Sequence, residues 1–472
     1  MKQQRRTKIV CTIGPSSQNE AVLRELVRAG MDVARLNLSH GDHAGHARTI
    51  ETLRRVAAEE GKAIGILQDL GGPKIRLGDI PEGERMLSPG EDVRLFPGQT
   101  GRGKDLAVQY PFLLEDVSPG DRILLADGLV ELLVTHKEAE ALQCRVVVGG
   151  AIHSHKGVNL PSSSLRISAF TEKDKQDLLF GLEHGVDFIG LSFVRHEKDV
   201  APVLEILQKA DPRPMVIAKI EKPQALERLE AILDVVDGVM VARGDLGVET
   251  PLHEVPVIQK RIIQAARSRA KPVITATQML RSMVSSPRPT RAETTDVANA
   301  ILDGTDAVML SEETAMGSYP VEAVLMLDRI AVAAEKYMFD MARHTAFASA
   351  LLPGTAAAIS QAVIGLAEDL NAAAVIASTA SGETARLVSR LRPRSPVIGF
   401  THAPATVRQL ALSWGVFPVL VPRCAETDPL FAMARRWALE QGIAGPGDTL
   451  VLTAGVPVGQ SGTTNMIKVI EL

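Results

Sequence analysis

The stretch Val216 to Glu249, VIAKIEKPQALERLEAILDVVDGVMVARGDLGVE, constrains the fold more than any other part of the chain. Two strand-like runs, VIAKI and DGVMVA, flank a segment in which Ala225, Leu226, Leu229, Ile232 and Leu233 recur at helical spacing. This is a β-α-β unit whose reactive groups stand at the strand ends. The rhythm of strand-like runs recurs at KIVCTIG (8–14), MDVARLNLS (31–39), KAIGILQDL (62–70), DFIGLSF (187–193), MVIAKIE (215–221), GVMVARGD (238–245), PVITATQ (272–278) and DAVMLSEE (306–313). Eight such units predict an α/β fold, a closed (β/α)8 TIM barrel with helices outside, and not an open doubly wound sheet.

The rhythm breaks once. After GGPKIRLGD the text changes to short β-like pieces punctuated by Pro-Gly, Gly-Asp and Asp-Gly pairs, which predicts an inserted all-β domain, taken as a β-barrel lid over 74–168. The barrel then comprises 1–73 and 169–344, resuming at TEKDKQDLLFGLEHG with Thr171 as a helix cap. Residues 345–472 carry a fresh pattern of helices and strands, AAVIAST, PVIGF, GVFPVL, DTLVLT and NMIKVIEL, and predict a C-terminal, mostly parallel α/β domain. A length of 472 residues accommodates such a division. Net charge is -4 with both signs interspersed, which argues against a nucleic-acid partner. Cys11, Cys144 and Cys424 stand far apart in no metal-ligand spacing, and no apolar run is long enough to span a bilayer. The expectation is a cytoplasmic protein whose first residues, MKQQRRTK, form a solvated tail.

Barrel enzymes carry their chemistry at the carboxyl ends of the strands. Unusual polar residues collect there: Arg35, Asn37, Ser39 and His40 on the second strand, Asp69 on the third, Lys219 and Glu221 on the fifth. Arg243 and Asp245 end the sixth, Thr277 and Gln278 the seventh, Ser311, Glu312 and Glu313 the eighth. Taken alone, Lys219, Glu221 and Asp245 fit a rim salt bridge as well as a metal site. A rim of salt bridges leaves unexplained why nearly every strand contributes. Side chains two apart on a strand share a face, so Lys219 and Glu221 project together; Glu221 and Asp245 suit a hard divalent ion, and Lys219 and Arg35 face its anion. No cysteine or histidine forms an evident nucleophile-base pair, and Ser39-His40 lacks a nucleophile-elbow context. Phosphoryl transfer, which needs positioned charge more than covalent work, fits this inventory.

The segments KIVCTIGPSS, VARLNLSHG, GPKIR, KGVNLP, AKIEK, VARGDLGVE, ATQML, PRPTRAE, DVANAILDG and MLSEETAMGSYP resemble the signature stretches of the pyruvate kinase family in their expected order. That resemblance implies transfer of the phosphoryl group of phosphoenolpyruvate to ADP, giving pyruvate and ATP, the last step of glycolysis. It implies Mg²⁺ or Mn²⁺ on Glu221 and Asp245, and Arg35 on the substrate phosphate. Gly244, Asp245 and Thr277 would surround the substrate carboxylate, and Lys219 would meet the phosphoryl group in flight. Asn37, His40, Arg76 and Lys156 would meet the nucleotide, the last two from a closing lid. A homotetramer is implied as well. Within the enzymes, a metal-dependent lyase or aldolase acting on a pyruvate enolate is the rival, and outside them a catalytically inactive phosphometabolite sensor. A Schiff-base role for Lys219 is disfavoured by the adjacent metal carboxylate.

The chain departs from the family pattern in places that matter. Glu312 replaces the usual glycine of MLSGET, beside Ser311 and Glu313, and SSSLRIS follows KGVNLP in place of the usual residues. Family members that need a monovalent cation hold it with groups matching Asn37, Ser39, Asp69 and a threonine hydroxyl, and they tend to carry Glu in GPKIR. Here Leu70 stands for the threonine and Lys74 for the glutamate, which predicts a protein that does not require K⁺. In the C-terminal domain STASGET follows a strand and opens a helix, suiting a phosphate or simply capping the helix. With the resemblance, Thr379, Ser381, Gly382 and Thr384 become an allosteric site, closed by GVPVGQSGTTN (455–465). Glu383 there would repel a second phosphate, so the expected effector is a sugar monophosphate or AMP.

Overall fold

The computed structural model describes residues 5–161, 163, 165–341, 352–458 and 463–472. Eight strands close a barrel: β1 (Lys8–Thr12), β2 (Val33–Asn37), β3 (Gly65–Asp69), β4 (Phe188–Leu191), β5 (Met215–Ile220), β6 (Gly238–Ala242), β7 (Val273–Ala276) and β8 (Ala307–Leu310). Their order is β1-β8-β7-β6-β5-β4-β3-β2 and every neighbouring pair is parallel. Strands buried on both faces read as near-continuous apolar runs. Pleating sends Ile9, Ala34, Ile66, Val216 and Val239 outward onto the helices, while Val10, Val33, Leu67, Ile217 and Met240 fill the interior.

The helices start where their caps say. The Asn19 side chain accepts from Ala21 N at 2.9 Å to open Glu20–Ala29, which turns Leu23, Leu26 and Val27 inward. Thr171 and Asp174 form a reciprocal capping box at the start of Glu172–Glu183, as the sequence leads one to expect.

The insert between β3 and β4 packs its own core, including Leu77, Leu95, Val108, Tyr110, Ile123 and Val134. Its strands pair as a six-stranded sheet, with Glu84–Leu87 and Gly150–His153 forming a separate ribbon. Where a barrel is expected, the six-stranded sheet has both of its edges bonded to one hinge segment, 75–78. Its edge strands Leu106–Val108 and Val158–Asn159 meet that segment through the bridges Leu77 to Val108 and Arg76 to Gly157, with Gly78 N donating to Ala107 O at 2.8 Å and Val158 N to Ile75 O at 3.0 Å. Segment 74–78 carries the chain out of the barrel into the insert and makes no full strand.

Two contacts fix this insert against the barrel. Asn159 Nδ2 donates to Glu249 Oε1 at 2.8 Å, and the same oxygen accepts from Lys222 Nζ at 2.5 Å. On the second hinge, Arg195 donates to the carbonyls of Leu165 and Ile167 at 2.6 and 2.9 Å.

The C-terminal domain has five strands, β9 (Ala374–Ser378), β10 (Val397–Thr401), β11 (Val416–Leu420), β12 (Thr449–Gly455) and β13 (Thr464–Glu471), in the order β11-β10-β9-β12-β13. Only β13 is antiparallel to its neighbour. The domain stoppers the barrel floor: Leu412 joins the barrel's inner core, and Lys8 Nζ donates to Val416 O at 2.8 Å. The helix Pro320–Met341 precedes it, and the expected boundary at 344 and 345 lies outside the described residues.

Residues 1–4 of the expected solvated tail lie outside the described residues, and Arg5, Thr7 and Lys8 are not solvated. Arg5 is paired with Asp32 at 2.9 Å and Asp328 at 2.8 Å, and Thr7 N donates to Glu335 Oε1 at 2.6 Å. The physical reason is that the carboxylates of Asp32, Asp328 and Glu335 offer acceptors that donors of this segment fill.

Glu249 neutralises a buried lysine and receives the lid. Glu249→Leu leaves Lys222 buried without a counter-charge, an expected loss of about 3 kcal/mol. A urea midpoint that drops at constant slope supports this account of the interdomain contact; a midpoint equal to that of the parent refutes it.

Candidate active site

The carboxyl ends of β2, β3 and β5 converge on one buried carboxylate. Asp69 is 1% exposed; its Oδ2 accepts from Arg35 Nε at 2.7 Å and its Oδ1 lies 3.3 Å from Lys219 Nζ. Lys219 Nζ also lies 2.9 Å from Glu221 Oε1 and donates to Ser192 Oγ at 2.7 Å. Burial works against the Lys219 ammonium, but Asp69 and Glu221 outweigh it and hold the group above the usual lysine range. Burial raises the Glu221 carboxyl to about 7, Lys219 opposes this, and the nearby negative charge of Asp245 adds to it. Asp69, Glu221 and Asp245 set three carboxylates against the two cations Arg35 and Lys219.

The ends of β6 and β7 supply a strained corner. Thr277 and Gln278 both have positive φ, 67° and 54°, a conformation rare for non-glycine residues and costly for a β-branched one. Thr277 Oγ1 accepts from Gly244 N at 2.7 Å, which brings the peptide beside Asp245 against it. The corner is braced by Arg243, whose guanidinium donates to Ala276 O at 3.1 Å and Thr277 O at 2.8 Å and pairs with Asp296 at 2.6 Å. Arg243, one of the strand-end charges, is thus committed to scaffolding. So is Glu313, which is buried and accepts from Leu280 N at 3.0 Å and Ser311 N at 2.7 Å. Glu312 is exposed and pairs with Arg281 at 3.4 Å; burial raises the Glu313 carboxyl, and the charge of Glu312 acts in the same sense.

A cleft of about 280 Å³ separates lid and barrel, lined by Lys74, Arg76 and Lys156 on one side and Phe193, Lys222 and Asp245 on the other. Asn37, Ser39 and His40 stand at the end of β2, outside that lining. Desolvation, then Lys74, Arg76 and Arg35, hold the His40 imidazole below its usual range. Asn37 Oδ1 accepts from Ser39 N at 3.2 Å. Leu70 is 1% exposed and packs in the outer barrel core, offering no side-chain oxygen.

The residues expected at an effector site stand apart from this cleft. Thr379, Ser381, Glu383 and Thr384 line a cavity of about 40 Å³ in the C-terminal domain, together with His402 and Thr464. Gly382 lies behind the lining, at φ 84°, its N–H donating to Thr379 Oγ1 at 2.9 Å. Residues 459–462 of the glycine loop expected to close over it lie outside the described residues.

Residues 4–324 match the family model for the pyruvate kinase barrel domain and residues 357–470 that for the pyruvate kinase alpha/beta domain. The chain is 48% identical over 470 residues to pyruvate kinase 2 of Synechocystis sp., covering 98% of this chain and 79% of that one. It is 46% identical over 467 residues to the pyruvate kinase of Mycobacterium tuberculosis, covering 98% of each. A solved pyruvate kinase from Cryptosporidium parvum superposes with a TM-score of 0.92 at 34% identity, over 99% of this chain and 96% of that one. The chain belongs to the pyruvate kinase family. It is a phosphotransferase, carrying the phosphoryl group of phosphoenolpyruvate to ADP. No comparison supports the lyase or the inactive sensor.

Pyruvate kinases need a divalent metal, and the residues here fit one. Among the described residues no three His, Cys, Asp or Glu side chains gather as a metal cage. Glu221 and Asp245 stand near enough for the charge of one to act on the other, two carboxylates that suit a hard ion whose remaining oxygens would come from substrate and water. Sequence reasoning missed Ser192 and Thr12, which orient Lys219 and Arg35; Thr12 Oγ1 accepts from Arg35 Nη1 at 2.9 Å. It also missed the backbone N–H of Phe193, which donates to Glu221 Oε2 at 2.8 Å. The hydroxyl of DFIGLSF stood at a strand end, where the strand-end rule had found other groups. Among the described residues no helix is long and apolar enough to cross a membrane.

Proposed function

We propose that Arg35 and Lys219 carry the pyruvate kinase reaction of this chain, with Thr277 as third catalytic residue. The carrying observation is the part-buried ammonium of Lys219, 2.9 Å from Glu221 and 3.3 Å from Asp69. Charge in such a site is fixed in advance and needs no reorganisation as phosphoryl charge moves. Arg35, steadied by Asp69, holds the substrate phosphate, and Lys219 follows the phosphoryl group between its two oxygens. Gly244, Asp245 and Thr277 hold the substrate carboxylate. Glu221 and Asp245 would hold Mg²⁺ or Mn²⁺, which when bound polarises the phosphate and enolate oxygens. Asn37, His40, Arg76 and Lys156 receive the nucleotide, and His40, neutral at pH 7, does so by hydrogen bonding. The insert, 74–168, closes over the barrel, 1–73 with 169–344, and excludes water; residues 345–472 regulate. The working state is a cytoplasmic homotetramer.

Lys219→Met is expected to retain phosphoenolpyruvate binding and lose about a thousandfold or more in kcat. Exchange of pyruvate methyl protons with solvent should survive better than transfer. Turnover close to that of the parent would remove Lys219 from its role.

We propose also that turnover needs no potassium. Leu70 brings no oxygen to the place of a cation ligand, Asp69 already faces two cations, and Asn37 Oδ1 is engaged by Ser39 N. Lys74 supplies the unit charge instead. Desolvation, Arg76 and Lys219 hold its ammonium below the usual lysine range, while Asp245 and Asp69 act on it in the opposite sense. In tetramethylammonium buffer the rate should match that with added K⁺, and Lys74→Glu should lower it about 100-fold while creating a K⁺ response. Strong K⁺ activation of the parent would sink this proposal.

The cavity at Thr379, Ser381 and Thr384, with Gly382 shaping its turn, is proposed as the allosteric site. It takes a sugar monophosphate or AMP, since Glu383 at its rim disfavours a second phosphate. An effector screen at low phosphoenolpyruvate should show activation by monophosphates, abolished in Ser381→Asp. Activation by fructose 1,6-bisphosphate alone would count against it.

A further inference from the structure

The C-terminal domain and the barrel floor enclose a crowd of cations that the reaction does not use. Arg386, Arg390 and Arg392 come from the helix Glu383–Ser389 and the turn after it. They share a small, solvent-open cavity of about 10 Å³ with Arg267 and Lys271, which precede β7. The carboxylate lining it, Asp306, is already spent. Its Oδ1 accepts from Arg392 Nη1 at 3.0 Å and Trp414 N at 3.2 Å, and its Oδ2 from Val273 N at 3.0 Å.

Further acids reach this group only from outside the cavity. Asp237 acts on Arg386 and Lys271 but is paired with Arg213 at 2.9 Å, and Asp234 acts on Lys271 but bonds Arg269 at 3.2 Å. Glu383, which acts on Arg386, is exposed on the opposite cavity's rim. None of the residues outside the described stretches is an Asp or Glu, so the chain holds no hidden counter-charge.

The cations are instead propped on carbonyls. Lys271 Nζ donates to Val236 O at 2.8 Å, Arg386 Nη2 to Ser381 O at 3.0 Å and Arg392 Nη2 to Gly304 O at 2.6 Å. Carbonyl dipoles hold the groups in place and leave their net charge uncancelled. Donors also remain: Arg392 Nε, Arg267 Nε and Ser413 Oγ are buried without a hydrogen-bond partner, with Arg392 9% and Ser413 2% exposed. Arg392 has φ 55°, a left-handed conformation kept by a bulky residue only where its surroundings hold it. Buried donors left unmade are costly, and so is a concentration of like charge.

We propose that this cavity binds a phosphate-type oxyanion, whose charge is met by the cations that line it, Arg267, Lys271, Arg386 and Arg392. The enclosed volume holds about one water-sized centre, so the ligand is a single phosphoryl or inorganic oxyanion seated at the mouth, not a nucleotide within it. It is a different site from the cavity at Thr379–Thr384, and the proposal does not rest on that one. Burial lowers Arg267 to about 10, with Arg392 pushing the same way, the crowding that a bound anion relieves. The position gives the ligand leverage: Pro272 and Asp306 immediately precede β7 and β8, whose other ends carry Thr277 and Glu313.

The test is calorimetric titration of inorganic phosphate into the full-length protein, with phosphoenolpyruvate and Mg²⁺ filling the active site. Arg267→Gln and Lys271→Gln should each weaken phosphate about tenfold or more, and Thr384→Val, in the other cavity, should not. In phosphate-free buffer Arg267→Gln should melt at or above the parent, because a crowded cation has gone. Glycerol phosphate in place of phosphate separates the sources: binding of both assigns the phosphoryl group, binding of phosphate alone the free anion. Absence of phosphate binding in the parent, unchanged affinity in both glutamine variants, or loss of binding in Thr384→Val would overturn the site.

Discussion

Arg35 and Lys219 reach the carboxylate of Asp69 from two different strands, and that three-way contact is what the active site is built on. Asp69 is enclosed, so removing either cation would strand charge in a poor solvent, a defect worth about 3–5 kcal/mol. The contact therefore has a structural consequence. β2, β3 and β5 are not all neighbours, so Arg35 and Lys219 meet the same carboxylate only if β4 closes the ring between β3 and β5. Ser192 follows β4 and bonds Lys219 Nζ while donating to Leu70 O at 2.7 Å, so the intervening strand is bound into the same unit.

From that unit the two accessory domains are held by similar means. Glu249 joins Lys222 of the barrel to Asn159 of the lid at the cleft, and Asp306 joins Arg392 and Trp414 of the C-terminal domain to the floor. Each is a buried carboxylate serving donors from two domains. The difference lies in balance: Glu249 meets one buried ammonium, whereas the floor gathers five cationic side chains around one acid. Closing the lid and seating the C-terminal domain thus have different electrostatic requirements, one complete within the chain and one dependent on an anion from outside it.

How much of this could be read from the sequence follows from what periodicity carries. The barrel was legible because strands buried on both faces are apolar runs, and because unusual polar groups at their carboxyl ends mark one face of the ring. Lys219 and Glu221 were legible as a pair because two residues apart on a strand means one face. The pairing of both edges of the lid's sheet with segment 75–78 was not legible, since turn residues announce strands without saying which edges meet. Arg5 was misread as tail because its partners, Asp32 and Asp328, lie far away in sequence. Ser192 and Thr12 were passed over because neutral hydroxyls look alike whether they aim a lysine or face water.

The strand-end charges also divide in a way that residue type cannot reveal. Arg243 has spent its guanidinium on two carbonyls, a carboxylate and the Met279 sulfur, and Glu313 has spent both oxygens on backbone N–H groups. Both secure the turns after β7 and β8, including the left-handed Thr277. Asp245, by contrast, makes no side-chain hydrogen bond among the described residues, and Glu221 is pushed toward protonation by burial and by Asp245. A group whose hydrogen bonds are complete can hold a backbone in a strained shape, because it gains nothing by moving. A group left with charge to neutralise can bind what arrives. In this barrel the first kind sets the geometry around the second, and Arg243 and Asp245, two residues apart after one strand, fall on opposite sides of that line.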